Sequence, residues 1–350
     1  MEALKIAIAL GVAVHLATGA SVAAAAAPQP GKLETYRDWT IGCDNGRTCA
    51  AEALLPADAV FDGHVAITLS RAPQAQAQPV VSVRSQDSIK GSVSIVIDGK
   101  AIASAVATDD EAQFTGVQGT AIADAMARGK TMEVRHGKAL LGKPSLSGSA
   151  AALRYMDAQQ GRAGTVTAIV AKGPLGANAV KPPPPLPLVT RAVVPPGAAP
   201  SSLWREELAK ATDVSGCADE FTADQEPELH RLSKTQTLVL MPCGAGAYNF
   251  SSVPLIATGM PGRRSFMPAR FDLQPGWSED AGLPMLVNAG FEAKTSSLSS
   301  YAKGRGIGDC GSSETYVWDG TMFRLTEATQ MGECRGGWNW ITTWRAKVVP

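Results

Sequence analysis

Six cysteines, Cys43, Cys49, Cys217, Cys243, Cys310 and Cys334, constrain this chain more than any other feature. An even count in an exported chain reads as three disulfides. Six cysteines allow fifteen connectivities, and sequence alone does not choose among them. Nearest-neighbour pairing, Cys43–Cys49, Cys217–Cys243 and Cys310–Cys334, is the expectation, because each pair then lies inside one domain. The two larger loops, about 25 residues each, would each contribute roughly 3 kcal/mol by loop entropy. The short first loop would mainly fix a turn. The rival reading, a metal site, lacks its spacing: there is no CxxC and no His beside a Cys.

The N-terminus sets the compartment that the cysteines require. Lys5 stands in a short basic start, the apolar run Ile6 to Ala17 follows, and "TGASVAAAAAPQP" closes it. That is the pattern of a cleaved secretory signal, and the run is shorter than the ~20 residues that span a bilayer. Cleavage near Ala26 makes residues 1–26 the signal peptide. No Cys follows the run, so no lipid anchor is expected, and no later stretch reads as a membrane span. The style of the signal points to a bacterium and a periplasmic destination. Lys plus Arg is 32 and Asp plus Glu is 32, which argues against nucleic acid or an anionic membrane as partner.

Pro182 to Pro185 mark the clearest boundary. Proline fixes φ and lacks an N–H, so the run should be an extended spacer. It divides the mature chain into an N-terminal domain (32–172), a Pro-rich linker (173–200) and a C-terminal domain (201–350) carrying four cysteines. In the first domain "DWTIGC", "HVAITLS", "VVSVRS" and "GSVSIVIDGK" read as strands, with Asp-Gly turning a hairpin at Ile97 to Lys100. Helices are expected in "GTAIADAMARGK", capped by Thr120 and stopped at Gly129, and in "AAALRYMDAQQG"; "GTVTAIVA" should return as a strand. This is an antiparallel β-sandwich-like domain with one or two helices. The second domain should open with a helix in "SSLWREELAKAT", capped by Ser202 and burying Leu203, Trp204 and Leu208. A short helix in "TADQEPELHRLS" and then strands should follow, among them a hairpin at Trp318 to Leu325. The fold class is β-rich α+β.

Two glycine motifs imitate nucleotide loops. Gly306-x-Gly308-x-x-Gly311 has dinucleotide-loop spacing, but the preceding "TSSLSSYA" is polar, the following "SSETYVWDG" is strand-like, and Cys310 sits inside it. Gly137 to Lys143 is followed by Pro144 where a phosphate loop needs Ser or Thr. No cofactor and no metal are expected. Of His64, His136 and His230, none stands in a catalytic signature, and HExxH and GxSxG are missing. No catalytic set is assigned. Lys303, Arg305 and Asp309 could be displayed on the rigid glycine loop for recognition. "GGWNWITTW" would place Trp338 and Trp340 on one strand face, where exposed Trp pairs stack on sugars or form protein hot spots.

"YRDWTIGCDNGRTC", "LVLMPCGAGAYN", "KGRGIGDCG", "YVWDGTMFRL" and "MGECRGGWNW", in that order, resemble the exported bacterial six-cysteine proteins of unknown function DUF1176. The N-terminal half, through Asp38, Trp39 and Cys43, also resembles the invasion-associated locus B proteins. The resemblance implies the compartment and the six-cysteine design and brings no chemistry. The favoured reading is a non-enzymatic periplasmic binding or envelope-associated protein, with contact through Lys303, Arg305, Asp309, Trp338 and Trp340. The alternative is a metal-independent hydrolase of cell-wall glycan or a similar polymer, using carboxylates such as Asp272 with Asp309 or Asp319. The partner, an envelope protein or a glycan, and the oligomeric state are left open by the residues.

Overall fold

The computed structural model describes residues 27–59, 65–85, 88–218, 222, 224–276, 278 and 282–350. The segment expected to be a signal, 1–26, and His64 lie outside the described residues. The N-terminal half contains β1 (Glu34–Tyr36), β2 (Trp39–Cys43), β3 (Cys49–Ala53), β4 (Val65–Arg71), β5 (Val80–Ser85), β6 (Gly91–Ile97), β7 (Lys100–Ala107), β8 (Glu111–Phe114), α1 (Gly116–Met126), β9 (Met132–His136), β10 (Ala139–Gly142) and α2 (Ser149–Gln159). Strands β1-β2-β3-β4-β5-β8 form one antiparallel sheet and β10-β9-β6-β7 another. Ile41, Ile67, Leu69 and Val83 of the first sheet share a core with Val93, Ile95 and Val134 of the second, and with Ile122, Met126, Leu153 and Met156 of the helices. The alternation along β4 and β6 supplies this face, as period-two patterning requires. The Asp-Gly hairpin is present: Asp98 and Gly99 both have positive φ, 49° and 76°, which suits a tight primed turn.

Two expectations here fail for identifiable reasons. Helix α1 begins four residues before Thr120, with Thr115 at its N-cap. The Thr120 hydroxyl donates back to the Gly116 carbonyl within the helix (3.1 Å). "GTVTAIVA" is not a strand: the Asp157 carboxylate, fully buried, accepts the amides of Ile169, Val170 and Ala171 at 2.8–3.0 Å. A carboxylate thus takes the donors a neighbouring strand would have used. Arg71 approaches the same carboxylate at 3.9 Å. Arg162, also fully buried, donates to carbonyls of the 72–75 loop.

The C-terminal half contains β11 (Leu188–Thr190), α3 (Arg205–Ser215), β12 (Glu228–Arg231), β13 (Gln236–Ala245), β14 (Phe250–Thr258), β15 (Ser265–Pro268), β16 (Leu286–Val287), β17 (Gly290–Glu292), β18 (Ser297–Lys303), β19 (Gly311–Trp318), β20 (Phe323–Met331), β21 (Ile341–Arg345) and β22 (Lys347–Val349). Strands β12-β13-β14-β15, with β16 on β14, face the sheet β17-β18-β19-β20-β21. "TLVLM" in β13 is a continuous apolar run because both of its faces are covered. Leu238 and Leu240 meet Leu298, Tyr316 and Phe323 of the opposite sheet, and Val239 and Met241 meet Ala211 of α3.

Helix α3 differs from expectation in cap and face. Trp204 is the N-cap, and Glu207 accepts its amide at 3.2 Å. The buried face is Glu207, Ala211 and Ser215, whereas Trp204 and Leu208 are exposed. Glu207 decides this, because it also takes the Gly262 amide (2.7 Å) and the guanidinium of Arg264 (3.1 Å), itself buried. The short helix expected in 222–233 is replaced at its end by β12, paired with β13.

The chain from Cys334 to Arg345 joins the halves. Arg335 donates to the carbonyls of Leu55 and Arg37 (both 2.8 Å) and to Asp38 (2.6 Å), and its own carbonyl accepts the Leu55 amide (2.8 Å). Arg345 pairs with Asp44 and exchanges two hydrogen bonds with Asn45. The Gly31 amide donates to Thr343, and Leu54 packs with Cys310, Met331 and Trp340. Downstream of the proline run, β11 lies parallel on β22. The disulfides are Cys43–Cys49, Cys217–Cys243 and Cys310–Cys334, the nearest-neighbour set. Among the described residues no helix is long and apolar enough to cross a membrane.

Asp157→Ala removes the acceptor of the Ile169, Val170 and Ala171 amides and the carboxylate beside the buried Arg71. It should cost about 3–5 kcal/mol, the range for breaking a buried ion pair, read as a lower urea midpoint; a change below about 1 kcal/mol would show that Asp157 does not organise this end of the sandwich.

Candidate functional site

The glycine motif connects two antiparallel strands. Lys303 at the end of β18 is opposite Gly311 at the start of β19, and no helix follows. β18 forms despite its polar sequence because its inward positions are Leu298, Ser300 and Ala302, and the Ser300 hydroxyl accepts the Val287 amide at 3.1 Å. Gly304 lies against the disulfide: a β-carbon there would stand 2.6 Å from the Cys310 sulfur. Gly311 has φ 143° with the Trp340 ring beside it. Both positions need glycine for physical reasons that involve no ligand.

Asp309 is not displayed. Its carboxylate is fully buried, paired with Arg305 through both oxygens (2.7 Å from Nε) and accepting the Gly336 amide at 2.7 Å. Burial pushes its pKa up, but the Arg305 and Gly336 hydrogen bonds outweigh that and hold it below the ordinary value. Asp309 therefore ties the glycine loop to the 334–336 turn. Arg305 is half-exposed, its charge partly balanced by Asp309. Lys303 is half-buried and has no ion-pair partner among the described residues.

Trp338 and Trp340 do not lie on a strand face, since β21 begins only at Ile341. The Cys310–Cys334 disulfide and the Gly336–Asp309 bond hold the preceding segment as a loop. Trp340 stacks on Tyr301, with ring centroids 4.8 Å apart and planes 13° from parallel. Trp338 is half-buried, and its backbone N–H faces Glu52 of β3.

A second loop, 245–250, completes the face. The Asn249 side chain exchanges hydrogen bonds with the Lys303 main chain (2.9 and 3.1 Å), and the Tyr248 hydroxyl reaches the Gly304 carbonyl. Asn288 donates to the carbonyls of Tyr248 and Tyr301 and accepts the Phe250 amide. Ile307 and Phe250 stand more than half exposed. Phe250 and Asn288 also wall a cleft of about 360 Å³ lined by Glu226 and Glu228. The face thus gathers Lys303, Arg305, Ile307, Tyr301, Trp340, Tyr248 and Phe250. The last two were missed because "AYNF" reads simply as strand; the signal that could have found them is Asn249 and Asn288, turn-type residues beside aromatics.

Of the suggested carboxylate pairs, Asp272 with Asp319 shares a cleft and Asp272 with Asp309 does not. Asp272 and Asp319 line one cleft of about 320 Å³ with Arg324, Trp344 and Pro187–Thr190. Burial raises the Asp272 pKa against the Leu325 amide and Arg324. Asp319 serves its hairpin, accepting from Thr321, Met322 and Arg324. Asp309 is not among the residues lining that cleft. Burial moves Glu314 up to about 6 against bonds from Ser312 and Ser300. His136 bonds the Lys90 carbonyl (2.7 Å) and His230 lies on Phe291. Among the described residues no group of three His, Cys, Asp or Glu is arranged to hold a metal.

A family model described as "Protein of unknown function (DUF1176)" matches residues 33–347. An Escherichia coli (strain K12) protein described as "Uncharacterized protein YpfG" is 29% identical over 334 residues, covering 88% of this chain and 91% of the relative. No solved structure matches.

Asp309→Asn should cost about 1–3 kcal/mol, as expected when buried groups lose a charged hydrogen-bond partner, while Lys303→Ala should stay within about 0.5 kcal/mol. Because the folded-state pKa of Asp309 is depressed, its contribution is present above the ordinary carboxylate value of about 3.9 and disappears as pH falls through the folded value. Chemical unfolding of both variants between pH 3 and 7 checks the ranking and the sign; equal stabilities would remove Asp309 from the brace.

Proposed function

The chain belongs to the DUF1176 family, and from that premise we propose that it is an exported periplasmic protein that binds an envelope component without transforming it. Three disulfides support an oxidising compartment, and residues 1–26 are its signal peptide. Residues 32–172 and 201–350 are its two domains, joined by the proline-rich segment 173–200. The likeness of the first domain to the invasion-associated locus B proteins is consistent with export, and no invasion role is drawn from it.

One observation carries the binding reading. The 303–311 loop is fastened on three sides, by the Cys310–Cys334 disulfide, by Asp309 to Gly336 and by Asn249 to Lys303, yet it leaves Ile307 58% exposed beside the half-buried Tyr301–Trp340 stack. Rigid exposed apolar and aromatic groups lose little entropy on contact, which is what a recognition surface needs. An aromatic plane flanked by Lys303 suits a protein hot spot or a sugar face.

The hydrolase reading keeps one supporting observation, the raised pKa of Asp272 in a cleft with Asp319. Against it, Asp319 is occupied by its turn and by Arg324.

The mature protein, kept non-reduced, should retain a specific protein or glycan from periplasmic extract or isolated peptidoglycan. Lys303→Glu with Ile307→Ser should abolish that capture without changing the melting temperature, and Asp272→Asn should leave it intact. Capture unaffected by the double substitution would refute the loop as the contact surface. Turnover of envelope polymer lost in Asp272→Asn would favour the hydrolase instead.

A further inference from the structure

Where the 334–345 segment meets the N-terminal sheet, one carboxyl group is enclosed without a cation. Glu52, in β3, is fully buried. One oxygen accepts from the Thr68 hydroxyl at 2.5 Å, and the other faces the Asn339 amide at a long 3.4 Å. The Asn339 side-chain amide donates to the same Thr68 oxygen at 2.6 Å. The chain Glu52–Thr68–Asn339 therefore crosses from the N-terminal sheet to the C-terminal segment.

The neighbours of Glu52 are polar but uncharged. From β2 the opposite residue is Thr40, from β4 it is Thr68, and from the C-terminal segment they are Trp338 and Asn339. The charged groups of the seam are already paired, Asp38 with Arg335 and Asp44 with Arg345. A carboxylate enclosed this way carries a charge that hydrogen bonds from neutral donors alone, with no cation beside it, do not fully compensate. A neutral acid fits, because the Thr68 oxygen retains a lone pair that can accept a proton from it.

We propose that Glu52, Thr68 and Asn339 form a protonation-dependent clasp between the two halves, closed when Glu52 is neutral and loosened when it ionises. Burial moves the Glu52 pKa up to about 8, against the lowering effect of Thr68, Asn339 and Trp338. The sign follows. A carboxyl whose closed-state pKa is raised favours the closed form below its ordinary value, about 4.3. It loses that contribution as pH rises toward 8. Gly336, whose amide holds Asp309 of the glycine loop, is three residues from Asn339. The clasp is independent of whatever that loop contacts.

Hydrogen exchange of the mature chain tests this at the Leu55, Gly31 and Arg345 amides, which bond across the seam. Corrected for intrinsic exchange, their opening in the wild type should rise with pH between 5 and 8, by at most about tenfold per unit. Glu52→Gln, neutral and of the same shape, should hold them closed throughout. A wild-type slope that is flat or reversed, or a slope kept unchanged in Glu52→Gln, overturns the proposal. If Glu52→Gln fails to fold, the sign of the wild-type slope still decides, because a clasp that loosens on ionisation requires opening to rise with pH.

Discussion

Arg335 is the contact on which the rest of the molecule depends. Its guanidinium reaches two backbone carbonyls and the Asp38 carboxylate of the N-terminal sheet, and its carbonyl takes the Leu55 amide in return. A planar fork with several donors can fix both position and orientation, which lysine cannot do. Cys334 beside it is bonded to Cys310 and Gly336 beside it holds Asp309. One residue thus sits between the seam and the glycine loop. β21 lies against the first sheet, and β22 pairs with β11, downstream of the proline run.

The charges of this neutral chain do much of their work inside. Asp157 lies beside Arg71, Glu207 pairs with Arg264, and Asp309 pairs with Arg305. In each case the carboxylate also accepts backbone amides, so a loop that lacks strand partners still satisfies its donors. Such arrangements favour a unique geometry more than raw stability. Glu52 departs from this rule because no cation stands beside it, and burial moves its pKa up to about 8.

What could be read from the sequence was what local chemistry dictates. Asp98-Gly99 and Asp319-Gly320 turn hairpins because their side chains and φ values suit the turn. The doubly apolar β13 and the neighbouring cysteine pairs are likewise local signals. What could not be read depended on partners far along the chain. "GTVTAIVA" has strand composition but is diverted by Asp157, and "TSSLSSYA" looks polar but forms β18 because small serines fit its inner face. Trp204 and Leu208 look like a buried stripe until Glu207 commits the helix to Arg264. For the site, Trp340 was expected with Trp338 on a strand face and instead lies before β21, stacked on Tyr301. Asp309 was read as displayed because nothing nearby in sequence announces that Gly336 takes its second oxygen.

The 334–345 segment should make the two halves one energetic unit. Calorimetry of the mature, oxidised protein at pH 6 tests it most directly. A single transition with equal calorimetric and van't Hoff enthalpies is expected. Two resolved transitions, each of a size fitting one half, would contradict it and would reduce the seam to a contact between independently stable domains.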